Sequence, residues 1–375
     1  MCLSVVFAQD GNSNTAEAYK FSTIIRQAAT PVKNQAVTGT CWSFATTSFL
    51  ESELIRTGKG EYDLSEMHTV RYNYINRIND NFLKAGKGNL GEGSLSHMLM
   101  NVVKKYGIVP EEVYDGINYD SETHNHEELN RFVNAIATVP VTLKQKSTEY
   151  EKLIKSLLDI YLGPVPANFV YKGINYTPLT FFENMGLNLN DYVELTSFSH
   201  HPWYSKFVLE IPDNWDFGSY YNLPLYEFMQ VINYALKNNY TVCWDGDMSE
   251  KSYSDRMGIA VNATKEELAQ EKGNELSFTK VYNEEEVIQE SRQKGFESFV
   301  TTDDHLMHMI GLAKDEYGTI YYIVKNSWKP EINRYGGYNY LSEKFVKAKT
   351  ISIMVHKNAI PKEIREKLQN LLNDN

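Results

Sequence analysis

Local patterning along the chain switches once, and that switch limits the folds open to it. The first hundred residues after the leading tail carry helical signals. Cys41 to Thr57 is a helical run closed by Gly58 and Gly60; Leu64 to Arg77 follows, with Ser65 and Glu66 suited to its first turn. A loop rich in Gly and Asn, Asn79 to Ser94, leads to a third helical run, Leu95 to Tyr106, stopped by Gly107 and Pro110. The middle keeps shorter helical runs at Leu129 to Ala137, Tyr150 to Tyr161, Tyr176 to Phe182 and Pro224 to Leu236. Between the last two lies an aromatic, proline-containing stretch, Phe198 to Tyr221, that reads as irregular structure and short strands. In the last third the period changes to that of strands: Met307 to Leu312, Thr319 to Val324 and part of a further strand at Ser352 to Val355, with turn residues Asp315 to Gly318 between the first two. Helices first and strands last predict an α+β protein with a helical half and a β-sheet half. The expected divisions are a tail over 1–23, a helical half over 24–115, an insertion over 116–225, a β-rich half over 226–356 and a C-terminal arm over 357–375.

Composition narrows the function. The 375 residues hold 37 Lys and Arg against 48 Asp and Glu, a net charge of −11, which repels phosphate backbones and argues against a nucleic-acid partner. Cys2, Cys41 and Cys243 are the only cysteines. They provide no disulfide framework, so the fold must stand on its core. No stretch approaches the roughly 20 apolar residues of a membrane-spanning helix. Cys2 to Ala8 is a short apolar run followed by polar residues through Thr15, with Val6 and Ala8 small enough for a signal-peptidase site. That pattern reads as the tail of an export signal and favours an exported or periplasmic location over a cytoplasmic one.

The chemistry concentrates in three short segments. The first is Asn34-Gln35-Ala36-Val37-Thr38-Gly39-Thr40-Cys41-Trp42-Ser43-Phe44-Ala45. A thiol attacks a carbonyl as thiolate, and Cys41 at the first turn of a helix gains from the positive end of the helix dipole. Gln35, on the loop feeding that helix, can join the Cys41 backbone N–H as an oxyanion hole. The second segment, Thr302-Asp303-Asp304-His305-Leu306-Met307-His308, enters a strand; the third, Val324-Lys325-Asn326-Ser327-Trp328, ends the next one. Asn326 can hold one ring nitrogen of His305 so that the other faces the sulfur, and Trp328 can shield that bond from water. His308 competes for the role of base, but three residues along an extended strand it points to the opposite face.

The order Gln35, Cys41, His305, then Asn326-Ser327-Trp328 resembles the papain superfamily of cysteine peptidases. The resemblance implies a papain-like fold, an acyl-enzyme on Cys41 and peptide substrates, and calls for no metal or organic cofactor. His305 and Asn326 lie about twice as far beyond the cysteine as the roughly 130–150 residues usual in papain-like chains, so a large insertion separates the halves. Thr38 stands where secreted papains carry a partner cysteine. Both features point to the bleomycin hydrolase and aminopeptidase C branch. So do Gly173-Ile174-Asn175-Tyr176-Thr177-Pro178-Leu179 and Val242-Cys243-Trp244-Asp245-Gly246-Asp247. Gly91-Glu92-Gly93-Ser94 resembles the branch's substrate-binding strip, where glycine permits close approach of substrate backbone and Ser94 replaces a second glycine.

The branch further implies a homo-hexamer and a C-terminal arm that blocks the far subsites, making the enzyme an aminopeptidase. Asn358 to Ile364 resembles the lead-in to that arm, and a short helix is expected to run to about Leu372. The final extended segment is not evident, which keeps open an endopeptidase with an unblocked cleft. An inactive peptidase fold used for binding is the remaining alternative. Cys243 reads as a buried strand thiol without chemistry. His200-His201 and His124 with His126 lack carboxylate or cysteine ligands at zinc spacing in the sequence and read as solvated loops.

Overall fold

The structure, a computed structural model, describes residues 18–368. The predicted export-signal remnant and the far end of the C-terminal arm lie outside the described residues. Eleven helices are present among the described residues: α1 Cys41–Arg56, α2 Glu66–Leu83, α3 Ser96–Tyr106, α4 Glu127–Leu143, α5 Thr148–Leu162, α6 Pro178–Met185, α7 Leu225–Lys237, α8 Lys265–Gln270, α9 Gln289–Glu297, α10 Glu343–Lys349 and α11 Lys362–Lys367. The strands are β1 Ser22–Arg26, β2 Phe169–Tyr171, β3 Ile174–Tyr176, β4 Tyr192–Thr196, β5 Lys206–Val208, β6 Ser219–Asn222, β7 Val242–Gly246, β8 Tyr253–Ser254, β9 Ile259–Ala260, β10 His305–Lys314, β11 Ile320–Lys325, β12 Tyr338–Ser342 and β13 Thr350–His356. The α+β expectation holds, with the helical half first and the sheet last.

α1 explains why its sequence shows no narrow apolar stripe. Every residue from Cys41 to Leu54 is buried, so the helix is enclosed on all sides and runs through the molecule as its central rod. One flank packs against α2 and α3 and the other against β10 and β7. α2 starts where expected, with the Ser65 hydroxyl accepting from the His68 N–H at 3.1 Å, and runs past the predicted end at Arg77 to Leu83. α3 ends at Gly107, whose φ of 75° only glycine adopts freely; a Cβ there would meet the Pro178 carbonyl carbon at 2.1 Å. α4 continues beyond the expected Ala137, carrying Pro140 in its last turn before Lys144 closes it in the left-handed conformation.

The main sheet runs β5-β6-β4-β13-β7-β10-β11-β12-β9-β8. β10 is its hub. Its first half, His305 to Met309, pairs with β7; its second half pairs on the same side with β1, and β11 lies along the other side. β4 and β6, within the segment expected as an insertion, extend this sheet through the β4–β13 pairing. β4 had no strand prediction, and β7 was expected only as the strand carrying Cys243, because their pairing partners are remote in sequence. One apolar core fills the space between α1 to α6 and the sheet, and a second lies behind the sheet under α7. No helix among the described residues is long and apolar enough to cross a membrane.

Candidate active site

The three chemical segments converge where the start of α1 meets the start of β10 and the end of β11. Cys41 opens α1, and Thr40 supplies no side-chain cap; the Thr40 carbonyl takes the Ser43 N–H at 2.9 Å, which leaves the Cys41 and Trp42 N–H groups as the candidates to meet an anion. The backbone N–H of Leu306, one residue beyond His305, acts to lower the pKa of the Cys41 thiol.

His305 donates from Nε2 to Asn326 Oδ1 at 2.7 Å, leaving Nδ1 as the free ring nitrogen. The orientation of the Asn326 amide is fixed from behind: its Nδ2 donates to Asp255 Oδ1 at 2.7 Å and to the Tyr253 hydroxyl at 3.3 Å. Asn339 donates to the same two groups. The indole of Trp328 stacks on the imidazole with the planes 3° apart and centroids 5.9 Å apart, covering the hydrogen bond. Gln35 is buried, and its carbonyl oxygen accepts from the Ser327 hydroxyl at 2.5 Å. Its amide nitrogen donates to the Thr38 carbonyl at 2.8 Å, which leaves one N–H unassigned. Sequence reasoning missed Asp255, Tyr253, Asn339 and the clamp by Ser327. Only Ser327 carried a local signal, as the middle residue of Asn326-Ser327-Trp328.

Burial opposes charge on either member of the pair taken alone. It pushes the Cys41 thiol up to about 12, with Asp303, Asp213 and Asp245 adding to the rise. It also lowers the pKa of His305, which the Asn326 bond partly offsets. His308 is fully buried, faces α1 through a 2.9 Å contact with the Ser48 hydroxyl, and is held neutral by burial. It is turned away from the cleft, as the strand period predicts.

Gly91, Gly93 and Ser94 lie in the loop before α3. The loop is anchored by Trp42, whose indole N–H donates to the Glu92 carbonyl at 3.0 Å, and by the Gly39 N–H, which donates to the Glu92 carboxylate at 2.6 Å. Ser94 is buried and its hydroxyl accepts from the Trp215 indole at 3.3 Å, so it faces the scaffold. Cys243 is buried on β7 against Ser96 and Thr46. His124 and His126 are buried, contrary to the solvated-loop reading, because both belong to the packing between α1, α2 and the start of α4. His200 and His201 share the Glu210 carboxylate at 3.1 and 2.6 Å. That trio is the one group among the described residues with spacing suited to a metal ion, with the two histidines ahead of β5 and Glu210 just beyond it.

The model of the Peptidase C1-like family matches residues 4–373 of this sequence. The chain belongs to that family. Members of the Peptidase C1-like family with similar sequences include Aminopeptidase C of Streptococcus thermophilus, 24% identical over 387 residues covering 88% of this chain and 81% of the relative. Cysteine proteinase 1, mitochondrial, of Saccharomyces cerevisiae is 24% identical over 404 residues, covering 92% and 79% respectively. Aminopeptidase G of Lactobacillus delbrueckii subsp. lactis is 23% identical over 388 residues, covering 90% and 83%. Among solved structures, PepW from Lactobacillus rhamnosis superposes with a TM-score of 0.73 at 20% identity, over 96% of this chain and 88% of the other. The fold is therefore papain-like, and the aminopeptidase C and bleomycin hydrolase branch read from the sequence stands.

Proposed function

We propose that this member of the Peptidase C1-like family is a cysteine aminopeptidase in which Cys41 is the nucleophile, His305 the base, Asn326 its orienter and Gln35 an oxyanion donor. The observation that carries the reading is the 2.7 Å bond from His305 Nε2 to Asn326, which leaves Nδ1 for the thiol, taken with the Leu306 N–H that acts to lower the Cys41 pKa. His305 takes the thiol proton as sulfur adds to the scissile carbonyl. The tetrahedral oxyanion accepts from the Cys41 N–H and the unassigned Gln35 N–H. His305 then returns the proton to the leaving amine, and the acyl-enzyme is cleared by water with His305 as base again. The loop Gly91–Ser94 receives substrate backbone, and Trp328 keeps water from the His305–Asn326 bond. Exopeptidase action is supported by relatives named as aminopeptidases that match along most of their length. A homo-hexamer belongs to the same reading, and a sizing column tests it.

The deciding experiment compares two fluorogenic peptides, one with a free N-terminus and one blocked, under reducing conditions with C41A as control. Cleavage of the free peptide alone, lost in C41A, is the expected result. Cleavage of the blocked peptide at a similar rate would make the enzyme an endopeptidase. Activity surviving in C41A would remove the nucleophile assignment.

A further inference from the structure

Three carboxylates stand beside Cys41 that peptide-bond hydrolysis does not use. Asp245, on β7, lies in register with Leu306, the residue whose N–H acts on the Cys41 thiol. Its side chain projects to the same face of the strand as Cys243, and Cys243 contacts Thr46 of α1 and Ser96 of α3. Asp303, two residues ahead of His305, meets the Asp245 carboxyl. Asp213 arrives from the loop before β6 and lies over Gly93: a Cβ on that glycine would fall 2.0 Å from Asp213 Oδ2. Asp213 acts on both other acids, and all three act on the Cys41 thiol. They come from three separate elements, and Asp213 borders the Gly93 loop.

The charge there is under-compensated. Asp245 is 2% exposed and accepts from the Ser352 hydroxyl, 2.9 Å from Oδ2. Its Oδ1, like Asp303 Oδ2, is buried with no donor from outside the acid pair among the described residues. Burial raises both carboxyls, Asp303 to about 7, and Asp213 repels both; the hydrogen bond between the two raises Asp245 and lowers Asp303, so the pair holds a shared proton that a cation can displace. No cationic side chain is among the groups that act on Asp245 and Asp303. Arg77 donates to Asn89 at 2.8 and 3.0 Å, and its charge acts on Asp213 and Asp216. His97 sits between Glu194 and Asp216 at 2.8 and 2.7 Å. A buried acid pair without a cation is unfavourable for folding alone, where apolar residues of similar size would serve better.

We propose that Asp213, Asp245 and Asp303 form a subsite for an ammonium group of the substrate, next to the residue that acylates Cys41. The inference rests on the peptidase reading above and deepens it. An ammonium brings three N–H donors and the positive charge that the carboxylates lack. It has two sources in a peptide: the free α-amine of the residue that bears the scissile carbonyl, or a lysine side chain on the residue before it.

The test measures kcat and KM for matched fluorogenic peptides on wild type, D245N and D303N. One peptide has a free α-amine and another is its desamino counterpart; a third is N-acetylated with lysine next to the cleaved residue, and a fourth has norleucine there. For any peptide that is not cleaved, its Ki as a competitor replaces KM. We expect each Asn variant to weaken an ammonium-bearing peptide about tenfold or more relative to its uncharged partner, mostly through KM. Loss confined to the free-amine pair identifies the α-amine, and loss confined to the lysine pair identifies the side chain. Equal changes within both pairs, or none, overturn the subsite. Should either buried variant fail to fold, D213N at the rim carries the same comparison. A wild type that cleaves none of the peptides defeats the peptidase reading instead, so the two failures are distinguishable.

Discussion

Which way the Gln35 amide points is decided by one hydroxyl. Ser327 donates to the Gln35 carbonyl oxygen, so the amide nitrogen is turned toward Thr38 and the start of α1. Gln35→Ala removes the oxyanion donor and is expected to lower kcat about 10²–10³-fold with little change in KM. Ser327→Ala keeps the donor but frees its rotation, so steady-state kinetics should show a smaller loss, again in kcat. The same scale governs the thiol. Burial, with three nearby carboxylates adding to it, pushes Cys41 up to about 12, so reactivity at neutral pH depends on His305 accepting the proton. In His305→Ala the iodoacetamide alkylation rate should be very low at pH 7 and climb only in strongly alkaline solution. The wild-type profile should already show a reactive plateau near neutrality, and identical profiles would refute the pairing. These residues were readable in the sequence because each marks the beginning or end of an element and keeps its neighbours. Asp255 was not: it supports Asn326 from 71 residues away, inside a stretch with no local signature.

Between elements, the joint of the two halves is polar where a core would be apolar. Ser48 on α1 accepts from Lys325 Nζ of β11 at 2.7 Å and meets His308 Nδ1 of β10 at 2.9 Å. Thr30 takes a second donor from Lys325 at 3.0 Å. Burial lowers Lys325 to about 8 while Glu51 and Glu66 act to raise it, so its charge depends on this packing. Ser48→Ala leaves both β-strand groups short of a partner. It should destabilise the fold by about 1–3 kcal/mol in urea titrations at pH 7, with the far-UV spectrum unchanged. A loss below a few tenths of a kcal/mol would mean that water replaces the hydroxyl. The joint also shows what sequence patterning can carry. Helices with their own punctuation, such as α2 behind Ser65 and α3 before Gly107, were legible because the signals are local. β1 and β4 were not, and β6 and β7 were expected only as strands without bounds, since a short strand exists only through partners far along the chain. The acid pair Asp245–Asp303 is hidden for the same reason: one member ends β7 and the other precedes β10, and only the β7–β10 pairing brings them together.

For the molecule as a whole, stability against pH is set by buried groups of opposite sign. Burial holds His68 at about 3, His126 at about 3 and His124 at about 4, and keeps His308 neutral. Each binds a proton in the unfolded chain below about pH 6.5 but not in the folded one, so each makes stability fall as the solution is acidified. The buried carboxyls work the other way. Glu111, raised to about 9, and Asp303, to about 7, hold protons in the folded state at pH values where the unfolded chain has released them. Their contribution is therefore present at low pH and lost as pH rises through those values. The two sets partly cancel, and the overall curve alone cannot separate them. His68 offers the cleanest separation. Neither ring nitrogen has a partner among the described residues, and the ring lies 5.1 Å from that of Tyr72 and 6.2 Å from that of Tyr114 in an aromatic pocket. His68→Leu fills similar space without a polar group, so at pH 7.5 it should be neutral or mildly stabilising. Between pH 7.5 and pH 5 the wild type should lose about 2 kcal/mol that the variant keeps, from a single proton taken up only on unfolding. Paired urea titrations at the two pH values measure that difference directly. A gap that stays constant with pH would mean that His68 titrates in the folded state, and that its pocket admits water.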